Sequence, residues 1–562
     1  MAFLIITLLL SGIIATIIFN PIFIANELII DYGLRPFDIC KEDSLLWEYI
    51  KKAYIITFVF TNLVINNSIY NTLNNLKQKS NKSKIKRKNI SKINNDESKI
   101  KLLIGYNKKE KKDIYIPESG LYQNFLITGT IGTGKTSSAM YPFTSQLMEY
   151  NSKNKQNKIG MLILDVKGNY YKQVKKYAKK YELQNDLIVL GLNSKIKYNP
   201  LHKPHLKPQV LANRLKTILM LFSENNSESF WLDKAEQVLA ESIKLCRLYN
   251  KGYVTFSELH KIITLTDYYK EKIEMLRDMF ISSKLSYKQI YDLNSSLEFF
   301  QNEFSKLDDR TIALLKSEIS RITSTFISDY DISRTFCPKK EELTFKGFSE
   351  LIRKGKILVL NINISEYRNL SKIIAAYLKL DFQTEIMSNL SKNKVRPTAF
   401  ICDEYAEYVT KTDSEFFSLS REAKCINIIS TQSYSSIKNT LKDEASVKVI
   451  IQNLINKIWF RTDDIFTVED AQKQLGKEEK IKTSKSISEN AKETNFSYIT
   501  NTLNSKNSSV SESYNTYTQN DFVYDVNEFT QKLETFTALT FLSDGSKILK
   551  PSKLKMYPYF IE

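Results

Sequence analysis

Short apolar runs separated by polar, helix-periodic stretches dominate the middle of this chain. Runs rich in Ile, Leu and Val occupy Asn124–Thr128, Met161–Asp165, Asp186–Leu190, Lys356–Ile362, Thr398–Asp403, Ile426–Thr431 and Lys457–Arg461, with a further one at Phe536–Leu542. Each is short and apolar, as a strand covered on both faces should be. Strands alternating with helices predict an α/β fold on a parallel sheet. Between Phe230 and about Tyr330 the alternation stops. Apolar positions there recur at helical spacing, as in Ala235, Val238, Leu239 and Ile243, which predicts an inserted all-α domain over residues 230–330.

The two ends of the chain break this pattern. Ala2–Phe19 is an uncharged apolar run that continues past Asn20 and Pro21 to Ala25, long enough to cross a bilayer as a helix. A cleaved signal peptide would carry basic residues ahead of such a run, and none are there. A second, shorter run covers Ala53–Ile65, with Lys51 and Lys52 at its edge. The loop between the runs holds Glu27, Asp31, Asp38, Glu42 and Asp43, whereas Lys77–Lys92 holds eight basic residues and no acidic one. Positive charge is retained on the cytoplasmic side. The expectation is therefore a two-helix transmembrane anchor over residues 1–70 in the inner or cell membrane, its short loop outside. A basic cytoplasmic linker follows over 71–110, able to touch anionic membrane lipid. Near the other end, residues 480–519 are dense in Ser, Asn, Thr and Lys, which predicts a polar, mobile segment.

Composition narrows the partners. A net charge of +19 on 562 residues favours acidic partners such as nucleic acid or anionic lipid. The abundance of Lys, Asn and Ile is also what an AT-rich genome produces. Cys40, Cys246, Cys337, Cys402 and Cys425 lie far apart with no CxxC spacing, which fits a reducing compartment and argues against a disulfide scaffold or zinc site. His202 and His205 share a Pro-rich loop without a third metal ligand nearby.

The chemistry begins where the first buried strand ends. Gly129-Thr130-Ile131-Gly132-Thr133-Gly134-Lys135-Thr136, followed by Ser137, matches GxxxxGK[ST] between a strand and a helix. Three of the chain's 15 glycines fall in this window, where backbone N–H groups must fold around phosphates. Lys135 would neutralise the β and γ oxygens of ATP and Thr136 would reach Mg²⁺. Such a loop needs a carboxylate at the end of a neighbouring strand. Asp403 supplies it as the metal's second protein group, and Glu404 follows as the residue that polarises the attacking water. Gln432, at another strand end, is placed to sense the γ-phosphate or position the water. Asp165-Val166-Lys167-Gly168 ends the second strand, expected beside the P-loop strand. Arg421 and Arg461 are the candidates for an arginine acting across a subunit interface.

This set resembles the type IV coupling proteins, the VirD4/TraG family of conjugation and type IV secretion. The likeness rests on Thr128–Thr136, Leu164-Asp-Val-Lys-Gly168, Tyr198-Asn-Pro-Leu201, Phe230-Trp231, Phe400-Ile-Cys-Asp-Glu404 with Tyr405-Ala406, and Ile429-Ser-Thr-Gln-Ser433. It implies a RecA-like nucleotide-binding domain in two parts, 111–229 and 331–562, interrupted by the all-α domain. It also implies a homo-hexamer that hydrolyses ATP and passes single-stranded DNA, delivered with its relaxase or relaxosome, to type IV secretion channel components. The alternatives are a type IV secretion ATPase handling protein alone, a chromosome-segregation DNA translocase, and a membrane adaptor that uses nucleotide as a switch. Glu404 argues against the last, since a switch needs no positioned carboxylate.

Overall fold

The computed structural model describes residues 2–19, 45, 47–66, 99–192, 194–221, 229–282, 285–362, 364–390, 395–490, 495–497, 502–504 and 509–560. The chain divides into two compact units, Met1–Ser98 and Lys99–Glu562.

All eight apolar runs are strands. In chain order the strands are β1 (Lys101–Asn107), β2 (Lys112–Pro117), β3 (Phe125–Thr128), β4 (Gly160–Leu164), β5 (Leu187–Leu190), β6 (Ile357–Leu360), β7 (Thr398–Cys402), β8 (Cys425–Thr431), β9 (Asn456–Trp459), β10 (Lys477–Asn490), β11 (Asn495–Ser497), β12 (Thr502–Asn504), β13 (Ser509–Phe522), β14 (Thr537–Phe541) and β15 (Ser552–Lys555). Eleven of them form one sheet in the order β2-β1-β15-β14-β9-β3-β8-β7-β4-β6-β5. From β9 to β5 every pairing is parallel. The other edge, β14, β15, β1 and β2, is antiparallel, so the sheet is mixed where a parallel one was expected. The turn after β4 also departs from expectation. It does not adjoin the P-loop strand, because β8 and β7 lie between β3 and β4.

Helices cover both faces, and the period of two along each strand decides which side a residue serves. Phe125, Ile127, Met161 and Ile163 join a core with the helices Tyr141–Lys153 and Tyr170–Lys180. Leu126, Leu162 and Leu164 face a second core shared with the helices that follow Ser229. Those helices run Ser229–Tyr249, Phe256–Thr264, Thr266–Ile281, Tyr287–Glu298, Asp309–Thr323 and Tyr330–Phe336. Polar caps set several of their starts: Thr255, Asp308 and Asp329 accept backbone N–H bonds, and Ser286 with Gln289 closes a capping box.

The Tyr198–Leu201 run joins these helices to the long helix Ile364–Met387 rather than to the P-loop. Asn199 Nδ2 donates to Val254 O at 2.8 Å, and Tyr198 OH donates to Asp381 on the helix Ile364–Met387. Asp381 also receives Lys203 at 2.8 Å and Arg214 at 2.9 Å, all three fully or nearly buried.

Residues 480–519, read as mobile, contain most of a paired ribbon. β10 and β13 match over fourteen antiparallel positions, from Lys477↔Phe522 to Asn490↔Ser509. Backbone hydrogen bonds hold this pairing whatever the side chains. Lys482–Asp521 at 3.1 Å and Lys485–Glu512 at 2.8 Å link the strands across it. β1 and the turn after it likewise occupy the end of the stretch read as linker.

In the first unit, the helix Ala2–Ile18 lies antiparallel to helical residues 47–66. Asn62 Nδ2 donates to Ser11 Oγ at 3.1 Å, and the Thr16 and Tyr54 hydroxyls are 3.1 Å apart. Polar and small groups (Ser11, Ala15) are buried between the helices, while Ile13, Ile17, Ile56, Phe60 and Leu63 point outward. Among the described residues, no helix is long and apolar enough to cross a membrane. The acidic loop and the basic run Lys77–Lys92, on which the orientation rested, lie outside the described residues.

Candidate nucleotide site

The P-loop takes the shape its glycines permit. Gly129, Gly132 and Gly134 have φ of 152°, 79° and 103°, a region that side chains disfavour. The loop leaves the carboxyl end of β3 and enters a wide helical turn, Thr136–Met140, which continues as Tyr141–Lys153. Ligands of parallel α/β sheets bind at this edge, outside the carboxyl ends of the strands. The loop is pinned from both sides: Gly129 N donates to Gln432 O at 3.2 Å and Thr130 N to Arg461 O at 2.9 Å.

Lys135 folds back over the loop, donating to Gly129 O at 2.5 Å and Thr130 O at 3.2 Å. Burial lowers its ammonium below the ordinary lysine range, and Glu404 and Asp403 oppose that shift. Two loop carbonyls therefore hold its ammonium. Thr136 Oγ1 donates to Asp403 Oδ2 at 2.9 Å, and Ser430 on β8 donates to the other carboxylate oxygen. These hard oxygen donors fit Mg²⁺, which takes one or two protein groups and completes its shell with water and phosphate.

Glu404 follows in a left-handed conformation, φ 53°, which turns its side chain out of the strand direction. Its carboxylate is 3.6 Å from Lys167 Nζ. The Asp165–Gly168 turn thus reaches the site through the β4–β7 pairing. Asp165 itself caps: its carboxylate accepts N–H bonds from Lys167, Asn169 and Tyr170, each at 3.0 Å. Burial raises this carboxyl above the usual range, and Asp403 adds to the effect. Gln432 and Thr130 line a cavity of about 810 Å³ beside the loop, with Ser433, Thr462 and Asp464.

The arginines separate. Arg461 follows β9 directly against the P-loop, whereas Arg421 lies in the turn before β8, at the opposite end of that strand from Gln432. Seven residues of strand span about 23 Å, so Arg421 does not reach the P-loop of its own chain. His205 pairs with Glu385 at 2.8 Å, away from the P-loop elements.

Ser430 and Lys167, through their contacts to Asp403 and Glu404, belong to the site beyond the residues to which the motifs alone assign a part. Both lie inside the quoted motifs, so motif membership carried the signal.

A family profile described as the type IV secretion-system coupling protein DNA-binding domain matches residues 112–514. The chain belongs to this family. No curated protein sequence matches it. Its fold is similar to that of the bacterial conjugative coupling protein TrwBdeltaN70 in its unbound monoclinic form, at 13% identity and TM-score 0.53, covering 81% of this chain and 88% of that one. The plasmid coupling protein TrwB in complex with ADP and Mg²⁺ matches at 13% identity and TM-score 0.53, over 82% of this chain and 94% of that one. TrwB with a non-hydrolysable GTP analogue matches at 13% and 0.53, over 82% and 95%. This coupling protein therefore carries its P-loop on the α/β fold those structures share.

Proposed function

We propose that this coupling protein is a membrane-anchored ATPase that uses ATP hydrolysis to deliver relaxase-bound single-stranded DNA into a type IV secretion channel during conjugation. The observation that carries the reading is the P-loop with Thr136 and Asp403 2.9 Å apart and Glu404 beside them, in a chain of this family. Backbone N–H groups of residues 129–137 and the Lys135 ammonium receive the phosphates of ATP. Thr136 and Asp403 would hold Mg²⁺, which would supply positive charge to the phosphates. Glu404 accepts the proton of the attacking water, and Gln432 orients that water.

The arginine completing such a site comes from a neighbouring copy in a homo-hexamer. Arg421, remote from its own P-loop, is suited to that part, with Arg461 as the second candidate. Membrane attachment is favoured by the inside-out helix pair of the first unit, with hydroxyl and amide groups between the helices and isoleucines outside. The ATPase unit lies on the cytoplasmic side.

The test is ATP hydrolysis by the full chain in detergent, with and without single-stranded DNA. Stimulation by DNA that falls steeply with salt is expected, because phosphate contacts dominate such binding. Turnover indifferent to DNA would favour transport of protein alone.

A further inference from the structure

On the flank of the P-loop away from Asp403, two aromatic rings stand where the phosphate machinery ends. The sheet order places β3 between two neighbours: β8, leading to β7 and Asp403, and β9, leading to β14. The carboxylates and Gln432 occupy the β8 side. The β14 side carries Phe536, immediately before that strand.

Phe536 is held in a conformation that bulky residues avoid. Its φ is 61°, and it is the sole apolar residue among eight described non-glycine residues with positive φ. Both of its backbone groups are pinned: its N–H donates to Thr133 O of the P-loop at 3.1 Å, and its carbonyl accepts Met556 N at 2.8 Å. The ring lies so close to Gly134 that a Cβ there would stand 2.5 Å from Phe536 Cδ1. Strain of this kind persists where surrounding structure over-determines it, and it clusters at ligand sites.

A second ring joins it from the end of the chain. Tyr559 N donates to Ser137 O at 2.9 Å, and the Tyr559 ring packs edge-on against Tyr141 at 5.2 Å. This fixes the backbone that presents Phe560, whose ring is 5.8 Å from Phe536 and 59% exposed. The exposed ring stands beside the start of the P-loop helix, where it can meet a bound molecule. The site next to it receives a triphosphate, and what a nucleotide adds to a triphosphate is a ribose and a flat π-system.

We propose that Phe536 and Phe560 form the platform on which the nucleobase of the bound nucleotide stacks, an inference that rests on the P-loop reading above. Stacking on aromatic faces tolerates any base, since each has a π-face. The platform therefore supplies affinity for the nucleoside without choosing between adenine and guanine.

The test compares binding of ATP and of inorganic tripolyphosphate, each with Mg²⁺, to the full chain in detergent micelles. Phe560→Ala removes an exposed ring and should weaken ATP about tenfold while leaving tripolyphosphate unchanged. Phe560→Trp should keep ATP affinity. Phe536→Leu, which retains an apolar contact with Gly134 but has no π-face, should also weaken ATP alone. Unchanged ATP affinity in Phe560→Ala overturns the proposal while leaving the P-loop reading intact. An equal loss for ATP and tripolyphosphate also overturns it, since the rings would then merely support the loop. Wild-type protein that binds neither would overturn the nucleotide reading and the platform with it.

Discussion

Thr136 donates its hydroxyl to Asp403 across 2.9 Å, and Ser430 donates to the carboxylate's other oxygen, so both oxygens are oriented by the protein itself. Ser430 does not face the P-loop hydroxyl; it fixes the rotation of the carboxylate. Ser430→Ala should raise the Mg²⁺ concentration for half-maximal ATPase about tenfold, the worth of one hydrogen bond to a charged group. Turnover at saturating Mg²⁺ should change little. A titration that superimposes on the wild type would deny Ser430 this orienting part.

Glu404 sits against Lys167 at 3.6 Å, on a turn that its left-handed backbone creates. Glu404→Gln keeps size and shape but cannot accept a proton. Turnover should fall by about 10²–10⁴-fold, the range for a lost general base. ATP binding, measured by equilibrium dialysis, should stay within about threefold, because the phosphates are held by Lys135 and the loop backbone. Retained turnover would move the base elsewhere.

Much of this was legible in the chain because local rules govern it. The eight apolar runs are strands since burial on both faces leaves no alternation, and the glycines at 129, 132 and 134 announce their positive φ. The antiparallel edge was not legible. β1 begins at Lys101 and runs into the basic turn Lys108–Lys111, so it reads as the end of the basic linker, and β2, beyond that turn, carries no pattern that announces its antiparallel partner. The β10–β13 ribbon escaped for a related reason, as its order is a matter of backbone pairing between segments whose side chains read as disordered. Strand order was the third gap. Nothing local says that β7 and β8, hundreds of residues on, insert between β3 and β4. Nor does any pattern announce the strain at Phe536, which depends on Thr133 and Met556 gripping it from two directions.

Asp381 carries two cations at once, Lys203 at 2.8 Å and Arg214 at 2.9 Å, where the helix Ile364–Met387 meets the helix Pro208–Met220. Burial alone would raise its carboxyl, but Lys203 and Arg214 hold it below the usual carboxylate range. Asp381→Asn leaves both cations buried without a counter-charge and should cost about 3–5 kcal/mol, read from urea unfolding. The pH dependence has a fixed sign. A carboxyl depressed in the folded state contributes fully above its unfolded value of about 3.9 and loses that contribution as pH falls through the folded value. Wild-type stability should therefore decline below about pH 4 more steeply than that of Asp381→Asn. Parallel acid profiles would show that the pair is not ionised as drawn.

Lys457 presents the opposite case. It lies on β9, 4% exposed, at a cavity of about 380 Å³ that also touches Lys448, Asp470 and Gln474. Burial pulls its ammonium down to about 8, with Asp470 opposing. Against an unfolded value of about 10.4, that is a destabilisation of roughly 3 kcal/mol wherever both states are protonated, below about pH 8. Between about pH 8 and 10.4 the unfolded chain binds the proton and the folded one does not, so this group makes stability rise with pH. Lys457→Met should raise the urea midpoint at pH 7, trimmed by Asp470 losing its neighbouring cation. The advantage should shrink as pH climbs towards 10, where the wild-type lysine is already neutral. A gain that stays constant across that range would mean the methionine stabilises by packing alone, and that Lys457 is not held near 8.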